Sequence, residues 1–250
     1  MFKPKLSVIT IVYNNALYIE RTMLSVLNQT YPNIEYIIID GLSTDGTLDI
    51  IKKYKDKIAK LISEKDEGIY DAMNKGLALA TGDYVLFMNS GDEFYSSDTV
   101  GSVFASAENA DIYYGETEMI DANSKSLGQR RHKAPENFTW RSFNYGMSIS
   151  HQAIYIKRAI VEPFNRKYEL SADIDWILNA AKKAKTIVNT HQYVAKYLVG
   201  GMSKAKHRQS LSERFDIMKQ YYGLVPTLFN HIIIAFNLVW YWMLNRKTND

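Results

Sequence analysis

A short acidic turn follows one of the most apolar segments of the chain. Residues 84–88 (YVLFM) are almost wholly apolar, and residues 89–93 (NSGDE) come directly after them. Asn, Ser, Gly and Asp are common turn residues, so this segment fits an ordinary loop. It also fits a site for Mg²⁺ or Mn²⁺, since these cations take one or two protein carboxylates and share their remaining positions with substrate phosphates. In the second interpretation Asp92 holds the metal and Gly91 lets the backbone approach closely.

Three other apolar segments end in the same way. Residues 6–12, 34–40 and 60–63 have the apolar, β-branched composition of strands. The polar residues at their ends are 13–15 (YNN), Asp40 and 65–67 (KDE). The carboxyl ends of parallel strands meet at one edge of a sheet, where open α/β sheets bind their ligands. Each polar cluster alone is typical of a turn, but four of them at one edge predict a binding cleft.

Helical patterns separate these strands. Apolar residues recur at helical spacing in 19–27, in 48–54 and near 70–80. Strand and helix in alternation predict a mostly parallel central sheet with helices on both faces, joined by right-handed crossovers. The expected fold class is therefore α/β and Rossmann-like, followed by a helical C-terminal tail.

The second half of the chain is less regular. We predict helices over 96–107 and 172–183, and strands over 111–121 and 151–156. Residues 130–145 are polar and aromatic and show no period.

The composition narrows the class of protein. With 250 residues, 46% of them hydrophobic, the chain fits one large domain or a domain with an appendage. A formal charge of +3, with basic residues scattered through the first half, disfavours a nucleic-acid partner. Because the chain has no cysteine, disulfides, thiolate metal sites and cysteine nucleophiles are excluded. No basic segment with an apolar signal core precedes the first strand, so we expect a cytoplasmic location.

Several motifs of other protein classes are absent from the sequence. There is no G-x-G-x-x-G after the first strand, no P-loop and no G-x-S-x-G. The segment DGLSTDG, residues 40–46, lacks the alternating acids and closing Glu of a calcium loop. The chemistry left to the predicted cleft is that of carboxylates and Asn.

The longer motifs resemble a known family. The runs LSVITIVYNN, YIERTMLSVLNQTYPNIEYIIIDGLSTDGT and EGIYDAMNKGLALATGDYVLFMNSGDEF are similar to inverting family 2 glycosyltransferases with the nucleotide-sugar-binding A-type fold. The similarity runs from about residue 5 to residue 201. Asp40 matches the family's base-contacting acid, and Gly41 stands in place of the second acid.

This resemblance implies a set of substrate-binding residues and a metal ligand. The family's two spaced metal-binding acids correspond here to Asn89 and Gly91, so the metal, Mn²⁺ or Mg²⁺, is assigned to Asp92. Asn89 is then a neutral ligand or a hydrogen-bond partner. The substrate-binding residues implied are Thr10, Val12, Tyr13, Asn15, Asp40, Lys65, Asp71, Asn74, Asn89 and His151.

A second match implies the catalytic base. In HQAIYIKR (151–158) and ELSADIDWIL (169–178), the family's acid pair corresponds to Ala172 and Asp173. The second acid takes the proton of the acceptor hydroxyl, which makes Asp173 the base. The alternative is helix capping, since an acid in a first helical turn stabilises a helix by about 0.3–1 kcal/mol. For His151 a role beside the acceptor and a structural role are both open.

The resemblance implies a function and a division of the chain. A sugar moves with inversion from a nucleotide-sugar, a UDP-sugar being favoured, to a saccharide or lipid-linked saccharide in bacterial surface-polysaccharide synthesis. Residues 1–95 bind the nucleotide-sugar, and 96–203 form the acceptor and catalytic half of the same domain. Two alternatives stay open: a catalytically silent nucleotide-sugar-binding subunit, and a sugar nucleotidyltransferase, which would need a glycine- and arginine-rich loop after the first strand.

The tail, residues 204–250, has its own pattern. No Asp, Glu, Lys or Arg occurs in 220–245, and its Trp and Tyr residues precede Arg246 and Lys247. The pattern predicts a helix that contacts the cytoplasmic face of a membrane through 224–247. Core packing and a dimer contact are the alternatives. Residues 198–208, which overlap the start of the tail, contain glycines and basic residues. They fit either a lid over phosphate or a solvated loop.

Overall fold

A computed structural model describes residues 3–130, 133–144, 146–200 and 206–245. The predicted lid at 198–208 and the predicted anchor residues Arg246 and Lys247 fall partly or wholly outside these ranges.

The first four strands are parallel and adjacent, as predicted. They are β1 Leu6–Val12, β2 Ile34–Asp40, β3 Lys60–Ser63 and β4 Tyr84–Phe87, in the spatial order β3-β2-β1-β4. The helices between them are α1 Ile19–Leu27, α2 Thr47–Lys52 and α3 Ile69–Leu79. A short 3-10 helix, Lys55–Lys57, precedes β3. This half matches the sequence prediction element by element.

The second half extends the same sheet in mixed directions. Its elements are β5 Glu93–Phe94, α4 Thr99–Ala105, β6 Ile112–Ile120, β7 Ser126–Gln129, β8 Ile154–Lys157, α5 Ala172–Lys183, β9 Ile187–Leu198, α6 His207–Tyr222 and α7 Leu224–Asn245, with 3-10 helices His151–Ala153 and Arg158–Ile160. The sheet continues from β4 through β8, β6 and β9 to β5, and β7 pairs with β6. Strand β8 is antiparallel to β4 and β6, and β5 is antiparallel to β9.

The prediction for this half differs from the structure at β8 and at β9. The predicted strand at 151–156 begins as a 3-10 helix, and only Ile154–Lys157 is extended. Strand β9 was not predicted, because Asn189 and His191 interrupt its apolar pattern and His191 has a φ of +53°. The register of β6 against β9 shifts at the same place. Gly115 is required there, since a Cβ would lie 2.6 Å from the Gln192 carbonyl oxygen.

Both faces of the parallel sheet are covered. Alternate strand residues point to opposite faces, so Ile9 and Phe87 pack towards α3 and α5, whereas Val8 and Leu86 pack towards α1 and α4. A strand that is buried on both faces is apolar along most of its length, which explains the high apolar content of β1 and β2. Their polar residues, Ser7, Thr10, Glu35 and Asp40, are buried as well.

An aromatic cluster holds the first turn of α5 against the sheet. The rings of Phe164 and Trp176 stack at 4.9 Å, and Phe87 meets Phe164 edge-on at 5.1 Å. Trp176 Nε1 also donates to the Glu162 carbonyl (2.9 Å). Aromatic pairs of this kind contribute about 0.5–1.5 kcal/mol each beyond the area they bury. The cluster therefore fixes the position of the residues that begin α5.

The two C-terminal helices form a hairpin on this half. Helix α6 packs against α5, and Gly223, with a φ of +87°, turns the chain into α7. Within the described ranges, none of the helices combines the length and the hydropathy that crossing a bilayer requires.

Candidate active site

Two adjoining cavities lie at the carboxyl ends of β1, β2 and β4. The first, about 600 Å³, is lined on one side by residues that follow β2 and β3, and we call it the β2-side cavity. The second, about 470 Å³, reaches the start of α5 and the end of β9, and we call it the α5-side cavity. Asn15, Ile69, Asn89 and Ser90 line both, so the two cavities form one cleft.

The cleft brings together eight of the twelve residues predicted from the sequence. Val12, Tyr13 and Lys65 line the β2-side cavity. The α5-side cavity contains Asp92, His151 and Asp173, and both cavities contain Asn15 and Asn89. Asn15 ties the two strand ends to each other, because its Nδ2 donates to the backbone oxygen (3.2 Å) and to the hydroxyl (3.0 Å) of Ser90.

A carboxylate that was not among the predicted site residues lies in the β2-side cavity. Asp66 lines the cavity and is held by an ion pair with Lys75 (2.8 Å). A Cβ at Gly41 would lie 2.8 Å from Asp66 Oδ2. The glycine that replaces the second acid after β2 therefore leaves the space that the Asp66 carboxylate occupies. The signal for Asp66 was present in the sequence, since it belongs to the polar cluster after β3.

The other four predicted residues do not face the cleft. Asp40 is fully buried and accepts hydrogen bonds from the backbone N–H of Ser43 and the hydroxyl of Ser63 (2.5 Å), so it stabilises the turn after β2. Thr10 is also fully buried, and its hydroxyl donates to the Met88 carbonyl (2.7 Å).

The side chains of Asp71 and Asn74, on α3, form ion pairs and hydrogen bonds with other residues of the chain. Asp71 forms ion pairs with Lys75 (3.3 Å) and Arg166 (3.2 Å). Asn74 donates to the Phe164 carbonyl and accepts from the Phe164 N–H, at 3.0 and 2.6 Å. Both side chains thus hold α3 to the segment before α5, and no local sequence pattern indicates these partners.

The turn of residues 89–93 is packed closely against the end of β9 and against α1. Gly91 has a φ of +110°, and a Cβ there would lie 2.9 Å from Leu198 Cδ2. Because a glycine stands there, the end of β9 comes close enough for the Leu198 N–H to donate to Asp92 Oδ1 (3.1 Å). The Gly91 N–H donates to Thr22 Oγ1 (2.9 Å), which ties the turn to α1.

Asp92 is a buried carboxylate with an unusual ionisation. Only 6% of the residue is exposed. Burial raises the pKa of Asp92 to about 7, and His151, the Leu198 N–H and Arg21 oppose this rise only in part. The folded chain therefore holds a carboxylate that is only half ionised near neutral pH.

The residues around Asp92 are compatible with a hard divalent cation. Among the described residues no three His, Cys, Asp or Glu side chains form a metal-binding group. Mg²⁺, however, is commonly held by one or two carboxylates together with substrate phosphates. The neighbouring Asn89 Oδ1 is buried and has no hydrogen-bond partner. One carboxylate and one free amide oxygen fit a cation whose other ligands come from a substrate.

Asp173 lies at the opposite end of the cleft from Asp66, on the first turn of α5. Its Oδ1 accepts from the Tyr70 hydroxyl (3.2 Å) and from the Ile174 N–H (3.0 Å), and its Oδ2 accepts from His151 Nδ1 (3.3 Å). Burial acts to raise the pKa of Asp173, but the hydrogen bond from His151, the charge of Arg214 and the hydrogen bond from Tyr70 outweigh it and hold that pKa below its usual range. The carboxylate is therefore ionised at neutral pH.

His151 connects the two ends of the α5-side cavity. Its Nε2 accepts from Asn89 Nδ2 (3.0 Å), and its Nδ1 donates to Asp173. The imidazole thus orients the Asp173 carboxylate and holds the Asn89 amide with its free oxygen on the other side. The 3-10 helix that replaces the start of the predicted strand brings His151 to this position.

Solved structures share this fold. Residues 1–349 of S. aureus TarS match with a TM-score of 0.69 at 21% identity, covering 92% of this chain and 72% of that chain. TarS 1–349 in complex with UDP-GlcNAc matches with a TM-score of 0.68 at 20% identity over 98% and 74%. Mannosyltransferase PcManGT from Pyrobaculum calidifontis, in complex with GDP-Man and Mn²⁺, gives 0.58 at 17% identity over 94% and 76%. The fold is therefore that of the A-type glycosyltransferases.

Sequence similarity then assigns the family. The model described as Glycosyl transferase family 2 matches residues 7–163. A PGL/p-HBAD biosynthesis glycosyltransferase of Mycobacterium bovis is 31% identical over 214 residues, which cover 81% of this chain and 80% of the relative. The chain belongs to glycosyl transferase family 2. The family predicted from the sequence is confirmed, and the nucleotidyltransferase alternative is disfavoured.

Proposed function

We propose that this glycosyltransferase moves a sugar from a UDP-sugar to a hydroxyl of a saccharide or lipid-linked saccharide, with inversion, in the synthesis of a bacterial surface polysaccharide. The observation that carries the proposal is the position of Asp173. Its carboxylate is ionised and lines a cleft whose other end offers an exposed Tyr ring, Asp66 and Lys65 to a ligand. The similarity to TarS in complex with UDP-GlcNAc supports UDP as the nucleotide.

The β2-side cavity would hold the nucleotide. Tyr13 is 65% exposed and offers a ring face at the cavity wall. Asp66 offers an acceptor for the N–H of a uracil ring, and Lys65 offers a positive charge. The diphosphate would then extend past Asn15 and Ser90, which line both cavities, towards Asp92.

Asp92 would hold Mg²⁺ or Mn²⁺, with the Asn89 amide oxygen as a second protein ligand. A bound cation supplies positive charge where negative charge develops on the departing diphosphate. The complex of PcManGT with GDP-Man and Mn²⁺ supports a cation in this fold.

Asp173 would act as the general base. It takes the proton from the acceptor hydroxyl while the hydroxyl oxygen attacks the anomeric carbon and the nucleoside diphosphate leaves from the opposite side. A single displacement of this kind inverts the anomeric configuration. His151 and Tyr70 hold the carboxylate in place by hydrogen bonds to its two oxygens, and general bases of this type typically contribute about 10²–10⁴-fold to the rate.

The test is the Asp173→Asn variant, assayed for sugar transfer and for UDP binding by calorimetry. We expect transfer to fall by about 10²–10⁴-fold with UDP affinity unchanged. Asp175→Asn is the matched control, because this acid lies on the same helical turn and bonds with the Tyr221 hydroxyl (2.9 Å) outside the cleft. Wild-type protein that binds UDP but transfers no sugar to any saccharide would instead identify a silent binding subunit.

The outer face of α7 would lie on a membrane surface. Polar residues of this helix are buried and apolar residues are exposed. Thr227 and Asn230 are buried, whereas Val225, Phe229 and Ile232 are 76%, 63% and 67% exposed. An apolar face of this kind is stabilised by the interfacial region of a bilayer. A lipid-linked acceptor would then be within reach of the cleft.

Co-sedimentation with vesicles of phosphatidylethanolamine and phosphatidylglycerol tests this contact. We expect the wild-type chain to pellet with vesicles and the double variant Val225→Glu, Ile232→Glu to remain in the supernatant. Leu127→Glu, on the exposed strand β7, is the control and should pellet like the wild type. Concentration-dependent dimerisation without vesicle binding would contradict the membrane assignment.

A further inference from the structure

Two neighbouring residues of α1 hold the backbone of the turn at residues 89–93, which we call the acidic turn. Thr22 Oγ1 accepts from the Gly91 N–H (2.9 Å) and donates to the Asp92 carbonyl (2.8 Å). Arg21 Nη2 donates to the Gly91 carbonyl (3.0 Å). Gly91 has a φ of +110° and, as a glycine, could adopt several other conformations. The shape of the acidic turn therefore depends on these contacts with α1.

Arg21 also reaches the turn between β6 and β7, residues 121–125, which we call the β6–β7 turn. Its Nη1 donates to the Ala122 carbonyl (2.9 Å) and to Ser124 Oγ (3.2 Å). Ser124 Oγ donates to Glu93 Oε1 (3.0 Å), and the same carboxylate oxygen forms an ion pair with Arg21 Nε (3.4 Å). One guanidinium thus joins the acidic turn to a turn that lies far from it in the sequence.

The residues that Arg21 holds form one wall of the α5-side cavity. Tyr18, Asp92 and Ala122 line that cavity. The guanidinium carbon of Arg21 lies over the Tyr18 ring, 4.6 Å from its centre. Arg21 itself lines neither cavity of the cleft, and none of Tyr18, Gly91 and Ala122 lines the β2-side cavity. Arg21 can therefore act on the α5-side cavity only through the residues that it contacts.

We propose that Arg21 is a positioning residue, whose guanidinium holds the acidic turn and the β6–β7 turn in the arrangement that lets Asn89 and Asp92 share a cation. These two ligands come from one short turn and only one of them is charged, so cation binding depends on the backbone between them, which contains Gly91. Removal of outer residues that orient metal ligands typically costs 10–100-fold in metal affinity. This inference rests on the function proposed above, because it takes the cation to be held at Asp92.

Mn²⁺ is the probe for this role. The full chain is saturated with UDP and titrated with Mn²⁺, and free Mn²⁺ is followed by its electron paramagnetic resonance signal, with UDP alone as the reference. We expect Arg21→Gln to raise the dissociation constant of Mn²⁺ by about tenfold or more. Removal of a positive charge would by itself favour a cation, so weaker binding reports the lost hydrogen bonds.

UDP binding without a cation is the second measurement. Calorimetry should give the wild-type affinity for UDP in Arg21→Gln, since none of the hydrogen-bond partners of Arg21 lines the β2-side cavity. The same measurement shows that the variant is folded. Unchanged UDP affinity together with weaker Mn²⁺ binding would confine the effect of Arg21 to the α5-side cavity.

Two further variants separate geometry from charge and from general stability. Arg21→Lys keeps the positive charge but cannot place separate nitrogen atoms against the Gly91 and Ala122 carbonyls, so it should also bind Mn²⁺ about tenfold more weakly. Arg158→Gln is the matched control, because Arg158 Nε likewise donates to a backbone carbonyl, that of Gly82 (2.8 Å), at the amino end of β4 and away from the cleft. Its melting temperature should fall while its Mn²⁺ affinity stays that of the wild type.

The outcomes distinguish the failure of this inference from the failure of the proposed function. Wild-type Mn²⁺ affinity in Arg21→Gln would overturn the positioning role alone. Wild-type affinity in Arg21→Lys but not in Arg21→Gln would overturn it as well, because charge would then account for the effect. An equal loss in Arg158→Gln would show general loosening of the fold and would also overturn it. If the wild type with UDP binds no Mn²⁺, the cation of the proposed function fails, and the positioning role fails with it.

Discussion

The two ends of the cleft are formed by different kinds of structural element. The β2-side cavity is formed by the ends of parallel strands, and its key carboxylate, Asp66, is already paired with Lys75. The α5-side cavity is formed by side chains from a 3-10 helix, a helix start and a long strand. Where it meets the β2-side cavity, Asn89 Oδ1 is buried and has no hydrogen-bond partner. A site whose buried polar atoms already have hydrogen-bond partners can bind without rearrangement. A site with an unpartnered buried polar atom is completed by its ligand. Under the proposed function, we therefore expect the β2-side cavity to bind the nucleotide without rearrangement and the α5-side cavity to be completed by the cation and the acceptor.

Asp92→Asn tests this contrast between the two ends of the cleft and has the largest expected effect. In the folded chain the pKa of Asp92 is about 7, against an ordinary value of 3.8, so burial of its charge destabilises the protein increasingly as pH rises from 4 to 7. Asn retains an acceptor for the Leu198 N–H without the charge. We expect the free energy of unfolding in urea at pH 8 to rise by up to about 4 kcal/mol, with little change near pH 4.

The same variant should lose the effect of the cation on UDP binding. Wild-type affinity for UDP should increase with Mg²⁺ or Mn²⁺, and the Asn variant should bind UDP equally with and without the cation. Stability gained together with cation dependence lost would show that the buried charge exists for a ligand. Equal unfolding free energies of variant and wild type at pH 8 would contradict this account of Asp92.

A carboxylate in the first half of the chain, Glu35, should behave in the opposite way. Glu35 is buried and accepts hydrogen bonds from Ser7 (2.6 Å), from the Thr81 N–H (2.7 Å) and from Lys5 (3.2 Å). Burial alone would raise the pKa of Glu35, but these hydrogen bonds outweigh it and lower that pKa to about 2. A lowered pKa adds stability that is complete above the unfolded value of about 4.5 and is lost as pH falls towards 2.

We therefore expect acid to destabilise the wild type between pH 4.5 and pH 2 by about 3 kcal/mol through Glu35 alone. Glu35→Gln should lose a similar amount at pH 7 and show a flatter acid profile. Urea unfolding followed by circular dichroism at several pH values measures both. Glu108→Gln, at an exposed position, is the control and should match the wild type.

The next test addresses the nucleotide end through Asp66→Asn. Loss of a charged acceptor facing a uracil N–H should weaken UDP binding about tenfold, since hydrogen bonds to charged groups contribute about 1.5–3 kcal/mol. The rate of transfer at saturating donor should stay within twofold of the wild type, because Asp173 is untouched. Calorimetry and steady-state kinetics measure the two quantities. A lower saturated rate with unchanged UDP affinity would move Asp66 to the catalytic end of the cleft.

The same contrast explains what the sequence could predict. The first half consists of elements whose apolar patterns are regular and whose connections are short, so local patterns predict β1 to β4 and the polar residues at their ends. The resemblance to the family supplied Asp92, His151 and Asp173, which the structure brings into one cavity. Strand β9 escaped prediction because a bulge at His191 breaks its pattern.

Long-range partners could not be predicted from local sequence. Asn74 carries no sign that Phe164, ninety positions away, uses both of its amide atoms. Such pairings depend on the three-dimensional arrangement of the second half, whose strands join the sheet out of sequence order.

The smallest expected effect is that of Tyr70→Phe, which compares the two side-chain hydrogen bonds to Asp173, the proposed base. Tyr70→Phe removes the hydroxyl that donates to Asp173 Oδ1 but keeps the ring stacked on Phe164 at 5.4 Å. His151 contributes more than Tyr70 to the lowered pKa of Asp173, so the variant should raise that pKa only slightly. We expect a two- to threefold loss of kcat/KM, about 0.5 kcal/mol, and an acidic limb shifted to slightly higher pH.

His151→Phe provides the comparison for this last measurement. Without the imidazole, burial dominates, and the pKa of Asp173 should rise further than in Tyr70→Phe, moving the acidic limb of kcat/KM closer to neutral pH. UDP affinity measured without a cation should stay near the wild-type value in both variants, because neither residue lines the β2-side cavity. A larger pH shift in Tyr70→Phe than in His151→Phe would mean that the catalytic end is held mainly from α3, and the bridge through His151 to Asn89 would then serve the cation rather than the base.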